Sequence, residues 1–313
     1  MKKDILPTDN LNIDSISKQY KHGKIKANRE ITASFYPGQI AAVIGHNGAG
    51  KTTLLNQIIG VVKPDGGDIT YQGCSLLKHP RLARDFVSMM PQLHAPLTGV
   101  TLRQSIEAIL HIRCVTEKSG KSIIDQILSD LDIAQWANQS GDKLSGGLQR
   151  LTSFAMAVVC PTPIILLDEP TNDIDPVRRK RVWKYMKTLA QNGHIVVVVT
   201  HNLLEVEQYA DRFLLFEHGK LIKNAPISDL NQQFPSSTLT AIVNDSSIIK
   251  DAPVSFEIKY LEEEACVVLT LSSEQVLEAV DWVLKMIEQG KISDYRLSTT
   301  SLDVTYGGMT NEQ

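Results

Sequence analysis

The sequence predicts an α/β fold built on a mainly parallel core sheet, with a small α+β appendage at its C-terminal end. Three observations indicate this fold. Short, continuously apolar runs alternate with segments of helical periodicity, as expected where helices cover both faces of a parallel sheet. A glycine-rich loop joins one apolar run directly to a helical segment. Beyond residue 240 the sequence is strongly acidic and repeats strand and helix patterns on a smaller scale.

Strand and helix patterns follow one another along the N-terminal part. Strands are predicted over Ile13–Tyr20 and Ile31–Phe35, where apolar residues alternate or cluster. The apolar run Gln39–Ile44 predicts a buried strand, and the glycine-rich turn after it leads into a helix over Lys51–Ile59. A short strand is expected over Ile69–Tyr71.

The middle of the sequence has a different hydrophobic pattern from the parts around it. Apolar residues recur at helical spacing through Leu102–Ile112 and Ile123–Leu131, which predicts a mostly helical insert. The alternation of strands and helices then returns. Its expected strands are Ile164–Leu167, Ile195–Val199 and Phe213–Phe216, and its expected helices are Gly146–Val159, a basic helix after Pro176, and Leu203–Ala210.

The C-terminal part is expected to form a small α+β unit of its own. Ser255–Tyr260 and Cys266–Leu271 predict a strand pair, with the Glu262–Glu264 run at the turn between them. A helix is expected over Val276–Ile287 and a further strand over Ile292–Leu297.

The distribution of charge indicates where this unit begins. Residues 240–313 hold 5 Lys and Arg against 13 Asp and Glu, whereas the rest of the chain holds 27 against 22. We therefore expect a core domain over residues 11–225, a linker over 226–239 and an accessory domain over 240–313.

The overall composition is that of an ordinary globular protein, with 42 % hydrophobic residues, and the net charge of −3 argues against a dedicated nucleic-acid binder. Cys74, Cys114, Cys160 and Cys266 lie far apart, so we expect reduced thiols rather than a metal site or a disulfide framework. The apolar runs are shorter than the roughly 18 residues that a membrane-spanning helix requires. We expect a cytoplasmic protein that reaches a membrane only through a partner.

Residues Gly45–Thr52 form a glycine-rich loop between a predicted strand and a predicted helix. Their sequence, Gly-His-Asn-Gly-Ala-Gly-Lys-Thr, matches the G-x-x-x-x-G-K-[ST] pattern of loops that bind nucleotide phosphates. The glycines let successive backbone N–H groups face inward, and the following helix points its positive end at the phosphates. Lys51 supplies a charge for the β and γ phosphate oxygens, and the Thr52 hydroxyl is placed to bind Mg²⁺.

A pair of carboxylates, Asp168 and Glu169, follows the apolar run Ile164–Leu167. Ligands of α/β proteins bind at the carboxyl ends of buried parallel strands. Asp168 is suited to a Mg²⁺ ion, and Glu169 is suited to orienting or deprotonating an attacking water. The pair alone would more readily indicate a solvated loop, but in combination with the phosphate loop it predicts nucleotide hydrolysis.

A second candidate anion site lies at residues 144–150, whose sequence is Leu-Ser-Gly-Gly-Leu-Gln-Arg. Ser145 is a natural N-cap for the helix that follows, and Gly146 and Gly147 leave the helix N-terminus bare. Taken alone, the segment is more typical of a capped helix with a glycine turn.

The three motifs, in their order along the chain, resemble the nucleotide-binding domain of the ABC ATPase superfamily over residues 11–225. Gly45–Thr52 matches the Walker A loop of that family, residues 144–150 match its signature sequence, and Ile164–Glu169 matches the Walker B strand with its catalytic glutamate.

Four single residues extend the resemblance. Tyr20 resembles the aromatic residue that stacks on adenine, and Gln92 resembles the glutamine of the loop that couples to a membrane partner. Asp175 resembles the aspartate of the D-loop, and His201 resembles the switch histidine that contacts the γ-phosphate.

The resemblance implies a P-loop NTPase fold with antiparallel N-terminal strands beside the parallel core and a helical subdomain at about residues 93–150. It implies ATP and Mg²⁺ as ligands. Glu169, His201 and Lys51 would be catalytic, and Mg²⁺ would be bound by Thr52, Gln92 and Asp168. The nucleotide would be contacted by Tyr20, Gly45, Asn47, Gly48, Ala49, Gly50, Lys51, Thr52, Thr53, Gln92, Ser145, Gly146, Gly147 and Asp175.

The resemblance also implies partners. Members of this family bind each nucleotide between the phosphate loop of one subunit and the signature of another, so a homodimer or a heterodimer with a related ATPase subunit is expected. A separate transmembrane permease is expected to dock near Gln92 and to hold the chain at the cytoplasmic face of the membrane. No nucleic-acid partner is expected. The tail Ser298–Tyr306 loosely resembles that of daunorubicin- and sodium-exporter ATPases, one residue out of step, which favours export over import.

The sequence departs from the family pattern at two positions. Leu148 stands where many members carry a polar residue, and Asp173 replaces a common glycine, but neither change removes a catalytic group. The basic run Arg178–Arg181 could form a nucleic-acid patch, although a solvated helix face is favoured because aromatic residues are sparse around it.

Two other functions remain open from the sequence alone. The first is a soluble ABC ATPase acting on ribosomes or DNA, which the single nucleotide-binding domain and the lack of sustained heptads disfavour. The second is a regulatory or structural paralogue that binds ATP without turnover, which the presence of Lys51, Asp168, Glu169 and His201 disfavours.

Overall fold

The computed structural model describes residues 9–20, 23–92, 98–229, 236–243, 256–261, 265–272 and 274–299. The chain divides into two compact units, a core unit over residues 1–226 and a C-terminal unit over residues 227–313. The Glu262–Glu264 run and residues 300–306 of the exporter-like tail lie outside the described residues.

The core unit combines strands and helices in alternation along the chain. Its described strands are β1 (Leu11–Tyr20), β2 (Ile25–Phe35), β3 (Ile40–Gly45), β4 (Gly66–Tyr71), β5 (Cys74–Ser75), β6 (Val87–Met90), β7 (Ile164–Asp168), β8 (Ile195–Val199), β9 (Arg212–Glu217) and β10 (Lys220–Pro226). Its described helices are α1 (Lys51–Ile58), α2 (Pro80–Phe86), α3 (Leu102–Ile112), α4 (Glu117–Asp130), α5 (Gly146–Val158), α6 (Pro176–Gln191) and α7 (Leu203–Tyr209).

A six-stranded sheet in the order β10-β9-β3-β8-β7-β6 forms the centre of this unit. All its neighbouring strands are parallel except β10, which pairs antiparallel with β9. The expected mainly parallel core sheet is confirmed. Strands β6 and β10 were not predicted, because β6 is four residues long and β10 alternates exposed and half-buried residues along most of its length.

Both faces of the central sheet are covered by helices. On β7, Ile165 and Leu167 pack into an apolar cluster that includes residues of α5 and α6, and Ile164 and Leu166 pack into a second cluster that includes residues of α1. All four side chains are 0 % exposed. A strand buried on both sides must be apolar at every position, which explains the continuous apolar runs of the sequence.

A second sheet of the core unit is antiparallel, in the order β2-β1-β4-β5. The expected antiparallel N-terminal strands are thereby confirmed. Strand β1 ends at Tyr20, and β2 leads toward β3, from which the phosphate loop departs.

Helices α3 and α4 form the helical insert that the sequence predicted, and α5 follows it close to the range predicted for the next helix. Thr101 and Gln104 make a capping box that sets the start of α3, with the Thr101 hydroxyl accepting from the Gln104 N–H and the Gln104 side chain accepting from the Thr101 N–H. Within the described residues, no helix is long and apolar enough to cross a bilayer.

In its described residues, the C-terminal unit forms a four-stranded antiparallel sheet and one helix. Its described elements are β11 (Ser236–Val243), β12 (Glu257–Leu261), β13 (Cys266–Ser272), α8 (Val276–Glu288) and β14 (Ile292–Thr299), with the sheet order β12-β13-β11-β14. Strand β11 begins inside the segment expected to be a linker, which corrects the expected boundary at 240. Its first residues, Ser236, Ser237 and Thr238, are polar, so their pairing with β13 is not evident from hydrophobic pattern.

Replacing Leu166 by Ala tests the buried sheet. Leu166 is 0 % exposed at the middle of β7, so the smaller side chain leaves a cavity and should lower the free energy of unfolding by about 2–5 kcal/mol in urea titrations. Leu204→Ala is the matched control, because Leu204 is 57 % exposed and its replacement should change stability by about 0.5 kcal/mol or less. Equal losses in the two variants would contradict the burial of β7.

Candidate functional site

Three loops leave the central sheet at one edge. Val43 of β3 pairs with Val199 of β8, and Val199 pairs with Asp168 of β7. The phosphate loop follows β3, Glu169 follows β7, and His201 lies two residues beyond the end of β8. Parallel strands in this register bring residues that are distant in sequence to a common ligand site.

The shape of the phosphate loop depends on glycine at two positions. Gly45 has φ 151° and a Cβ there would lie 2.3 Å from the Phe216 carbonyl oxygen. Gly50 has φ 99° and a Cβ there would lie 2.0 Å from the Ala27 carbonyl oxygen. Both distances exclude any side chain, so the neighbouring strands hold the loop backbone directly.

The remaining loop residues differ in exposure. Asn47 and Gly48 are exposed at the tip of the loop, Ala49 is fully buried, and Thr53 is half-buried on α1. The tip is therefore free to receive an anion, whereas the base of the loop is packed.

Lys51 lies over the loop and is 8 % exposed. Its Nζ donates to the carbonyl oxygens of Gly45 at 2.6 Å and His46 at 3.0 Å. Burial lowers the pKa of Lys51, and the nearby charges of Glu169 and Asp168 oppose that shift. The loop thus presents a partly desolvated ammonium that gains from an added negative charge.

Thr52 and Asp168 form a pair of oxygen ligands. The Thr52 hydroxyl donates to Asp168 Oδ2 at 2.9 Å, and Asp168 is 1 % exposed. Burial raises the pKa of Asp168, while the Thr52 hydrogen bond works in the opposite direction. One hydroxyl and one carboxylate suit Mg²⁺, which is commonly held by few protein oxygens together with substrate phosphates and water. The described residues contain no cluster of three or more His, Cys, Asp or Glu that could hold a metal ion.

Glu169 and His201 are in direct contact. His201 Nδ1 lies 2.9 Å from Glu169 Oε1, and because an ionised carboxylate only accepts, Nδ1 is the donor. The Glu169 side chain is 10 % exposed, whereas that of His201 is 66 % exposed. Glu169 has φ 53°, an uncommon conformation for a residue with a side chain, which persists only where the surroundings hold it.

The second candidate anion site caps helix α5. Ser145 Oγ accepts from the Leu148 N–H at 3.4 Å, and a Cβ at Gly147 would lie 2.6 Å from the Asp173 carbonyl oxygen. In the part of the chain that the structure describes, no hydrogen bond joins Ser145, Gly146 or Gly147 to the phosphate loop. Within the described residues, this helix N-terminus is therefore separate from the phosphate loop.

Two further predicted residues end or begin elements of the core unit. Tyr20 is 37 % exposed at the end of β1, with Lys18 Nζ 5.5 Å from its ring centroid. Asp175 caps α6, and its Oδ1 accepts from the N–H groups of Val177 and Arg178 at 3.1 and 3.0 Å. Neither residue is hydrogen-bonded to the phosphate loop among the described residues.

The structure also identifies residues near the site that the sequence analysis assigned no role. Arg150, 5 % exposed, donates through Nη1 to the Gln92 carbonyl oxygen at 2.7 Å and so joins α5 to the segment after β6. Asn28, 1 % exposed, donates through Nδ2 to the Gly50 carbonyl oxygen at 3.2 Å. Arg150 could have been found from the sequence, because it lies within the signature-like motif. Asn28 could not, because it lies in no motif.

The chain is similar in sequence to known proteins. A family model described as ABC transporter matches residues 28–172. The thiamine import ATP-binding protein ThiQ of Vibrio parahaemolyticus is 34 % identical over 207 residues, which cover 66 % of this chain and 88 % of ThiQ. The mouse ABC-type organic anion transporter ABCA8B is 32 % identical over 217 residues, which cover 68 % of this chain but 13 % of ABCA8B. The chain spans a similarly small share of mouse ATP-binding cassette sub-family A members 9 and 6 and of the ABC transporter ced-7 of Caenorhabditis elegans.

A solved structure has the same fold. The ATP-binding cassette MJ0796, as a dimer in a post-hydrolysis state bound to ADP and Pi, superposes with a TM-score of 0.64 at 23 % identity, over 69 % of this chain and 98 % of the cassette. Together with the identity to ThiQ over most of that protein's length, the fold and the motifs lead to one conclusion. The chain belongs to the ABC transporter family and holds the ATP-binding ATPase domain of that family.

Proposed function

We propose that the chain is the ATP-hydrolysing subunit of an ABC transporter and energises a separate transmembrane permease from the cytoplasmic face of the membrane. The observation that carries the proposal is the joining of the phosphate loop, the Thr52–Asp168 pair and the Glu169–His201 pair at one edge of the sheet. A family member that only binds ATP would have no need for the last pair. We propose the same roles for the site residues as the motifs predict.

Some of the site residues bind the phosphates and Mg²⁺, and others position the attacking water and accept its proton. The loop N–H groups and Lys51 bind the β and γ phosphates, and Thr52 and Asp168 hold Mg²⁺, with Gln92 as a further ligand. When bound, Mg²⁺ neutralises charge on the phosphate oxygens. Glu169 orients the attacking water and accepts its proton, while His201 holds Glu169 in place and contacts the γ-phosphate.

A second subunit completes each site. Ser145, Gly146 and Gly147 form a bare helix N-terminus, which suits a phosphate, yet within the described residues they are not hydrogen-bonded to the phosphate loop of their own chain. We propose that they bind the γ-phosphate held by a second copy, or by a related ATPase subunit, in a head-to-tail dimer. The dimeric state of MJ0796 with ADP and Pi supports this arrangement. ATP then stabilises the closed dimer, and loss of the γ-phosphate reopens it.

An apolar groove beside Gln92 supports the docking of a permease. A cavity of about 740 Å³ opens between β6, α3 and α5, lined by apolar side chains that include Met89, Ile109, Ile112 and Met156. Pro91, next to Gln92, also lines it, and Ile112 is 74 % exposed. We propose that a cytoplasmic helix of the permease fills this groove, so that movement of the Gln92 segment reaches the membrane.

Export is the proposed direction. It rests on the exporter-like tail of the sequence, and the names of the relatives accommodate either direction, since ThiQ is an import protein and ABCA8B an organic anion transporter. The C-terminal unit is proposed as an accessory domain of the ATPase.

Replacing Glu169 by Gln should lower kcat for ATP hydrolysis by about 10²–10⁴-fold with ATP affinity retained, because the amide keeps the shape of the side chain but accepts no proton. Phosphate release and binding of a fluorescent ATP analogue would measure the two effects. Glu278→Gln, on the exposed surface of α8, is the matched control and should leave kcat unchanged. A Glu169→Gln variant with wild-type turnover would contradict the hydrolytic role.

The Glu169→Gln variant should also dimerise when ATP is added, since slow hydrolysis preserves the nucleotide that joins the subunits. Size-exclusion chromatography with light scattering would show a monomer without ATP and a dimer with it. Adding Ser145→Arg should keep the protein monomeric in ATP, because the larger side chain blocks the helix N-terminus. A dimer that persists in the Ser145→Arg variant would exclude the proposed arrangement.

Co-expression with the gene neighbours tests the permease. The tagged Glu169→Gln variant, solubilised in the presence of ATP, should co-purify with a polytopic membrane protein at about equal stoichiometry. Ile112→Asp should abolish that co-purification while ATP binding is unchanged, and Ile222→Asp, an exposed position outside the groove, should not. Ribosomes or DNA in place of a membrane protein would overturn the proposal.

A further inference from the structure

The side chain of Glu205 joins three segments around the catalytic pair. It lies in the first turn of α7, and its side chain is 12 % exposed. Glu205 Oε2 accepts from the Thr171 hydroxyl at 2.7 Å and from Trp183 Nε1 at 2.7 Å. Its Oε1 lies 3.5 Å from Nη1 of Arg179. A carboxylate this deeply buried is stable only because it is paired and hydrogen-bonded on several sides.

We propose that Glu205 is a positioning residue for ATP hydrolysis, which holds Glu169 and His201 in their productive contact without touching the nucleotide itself. Thr171 lies two residues after Glu169, and His201 lies four residues before Glu205. The Thr171–Glu205 hydrogen bond therefore ties the chain leaving β7 to the helix that follows β8. Thr171 and Glu205, which this hydrogen bond joins, lie close in sequence to Glu169 and His201, the two residues that must be in contact.

The conformation of Glu169 requires such a link. Its φ of 53° is unfavourable for a residue with a side chain and needs contacts on both sides to persist. On one side the Glu169 N–H donates to the Val199 carbonyl oxygen at 2.8 Å. On the other side, the nearest residue whose side chain holds this segment in place is Thr171, whose hydroxyl donates to Glu205.

Glu205 also sets the position of His201. The Asn202 side chain accepts from the Glu205 N–H at 3.2 Å and so caps α7 directly after His201. The backbone of Glu205 thus fixes the start of the helix, while its carboxylate fixes that helix against Thr171. A small shift of either anchor would lengthen the 2.9 Å contact between His201 and Glu169.

The bond to Trp183 and the ion pair with Arg179 extend the link to α6. Trp183 is 1 % exposed, so its N–H has no access to water and needs the carboxylate as its partner. Arg179 also donates through Nε to the Ile174 carbonyl oxygen at 2.7 Å, in the segment between Glu169 and α6. Glu205 therefore holds both ends of the loop that follows the catalytic glutamate.

Conservative variants of Thr171 separate positioning from packing. Thr171→Val keeps the shape of the side chain and removes the hydroxyl, and it should lower kcat of the full chain by about 10-fold or more with KM within about twofold, because substrate binding does not use this bond. Thr171→Ser restores the hydroxyl and should return kcat to within about threefold of wild type. Glu205→Met has a side chain of similar length but no acceptor oxygen, so it should lower kcat similarly. The Thr171→Val/Glu205→Met double variant should be little worse than either single variant, since both break one link.

Asp211→Asn is the matched control for a purely structural effect. Asp211 lies two residues beyond the end of α7. Its carboxylate accepts from Lys187 Nζ at 2.6 Å and from the Ile40 N–H at 2.8 Å, at the start of β3 and so at the opposite end of that strand from the phosphate loop. Its replacement should lower the melting temperature while kcat stays within about twofold. The proposal is overturned if Thr171→Val keeps wild-type kcat, if Thr171→Ser is as impaired as Thr171→Val, or if Asp211→Asn lowers kcat as much. These measurements concern ATP turnover by the chain itself, so their outcome is independent of the permease.

Discussion

The parallel register of β3, β8 and β7 is the constraint on which the site depends. It brings the ends of three strands to one edge, where Thr52 and Asp168, 116 positions apart in the chain, form a hydrogen bond. The register in turn requires that each central strand be buried on both faces, since any polar residue among their apolar runs would meet one of the two clusters. The chemistry of the edge is therefore coupled to the packing of the whole core unit.

Burial of opposite charges gives the site its electrostatic character. Burial pushes both Lys51 and Asp168 toward their neutral forms, by lowering the pKa of the first and raising that of the second, and each charge opposes the shift of the other. The charged forms thus depend on mutual stabilisation in a partly desolvated site. Removing either charge would leave the other buried without its partner, which costs more folding free energy than the loss of a single contact. Neutral variants of the same shape, which keep the packing, are therefore the informative ones for separating chemistry from stability.

Much of the fold and of the site could be predicted from the sequence, and the exceptions have physical causes. The ranges expected for α3 and β8 agree with the structure because an amphipathic helix and a fully buried strand each leave a clear hydrophobic pattern. The start of β11 was assigned to a linker because its Ser and Thr residues are held by pairing rather than by apolar periodicity. The motifs were found because their residues are contiguous. The bonds from Arg150 to Gln92 and from Thr171 to Glu205 join positions 58 and 34 apart, and only tertiary packing pairs them.

The residues outside the motifs compensate for unfavourable backbone within them. The phosphate loop needs left-handed glycines that are pressed against the backbone of β2 and β9, and Asn28 secures one of them through its bond to the Gly50 carbonyl oxygen. Glu169 needs support on both sides, which Val199 supplies through its carbonyl oxygen and Glu205 through Thr171. Each reactive segment is thus held in a conformation that it would not adopt alone. It follows that the chemistry can be inferred from the motifs, whereas the precision of their geometry depends on buried polar residues that no motif contains.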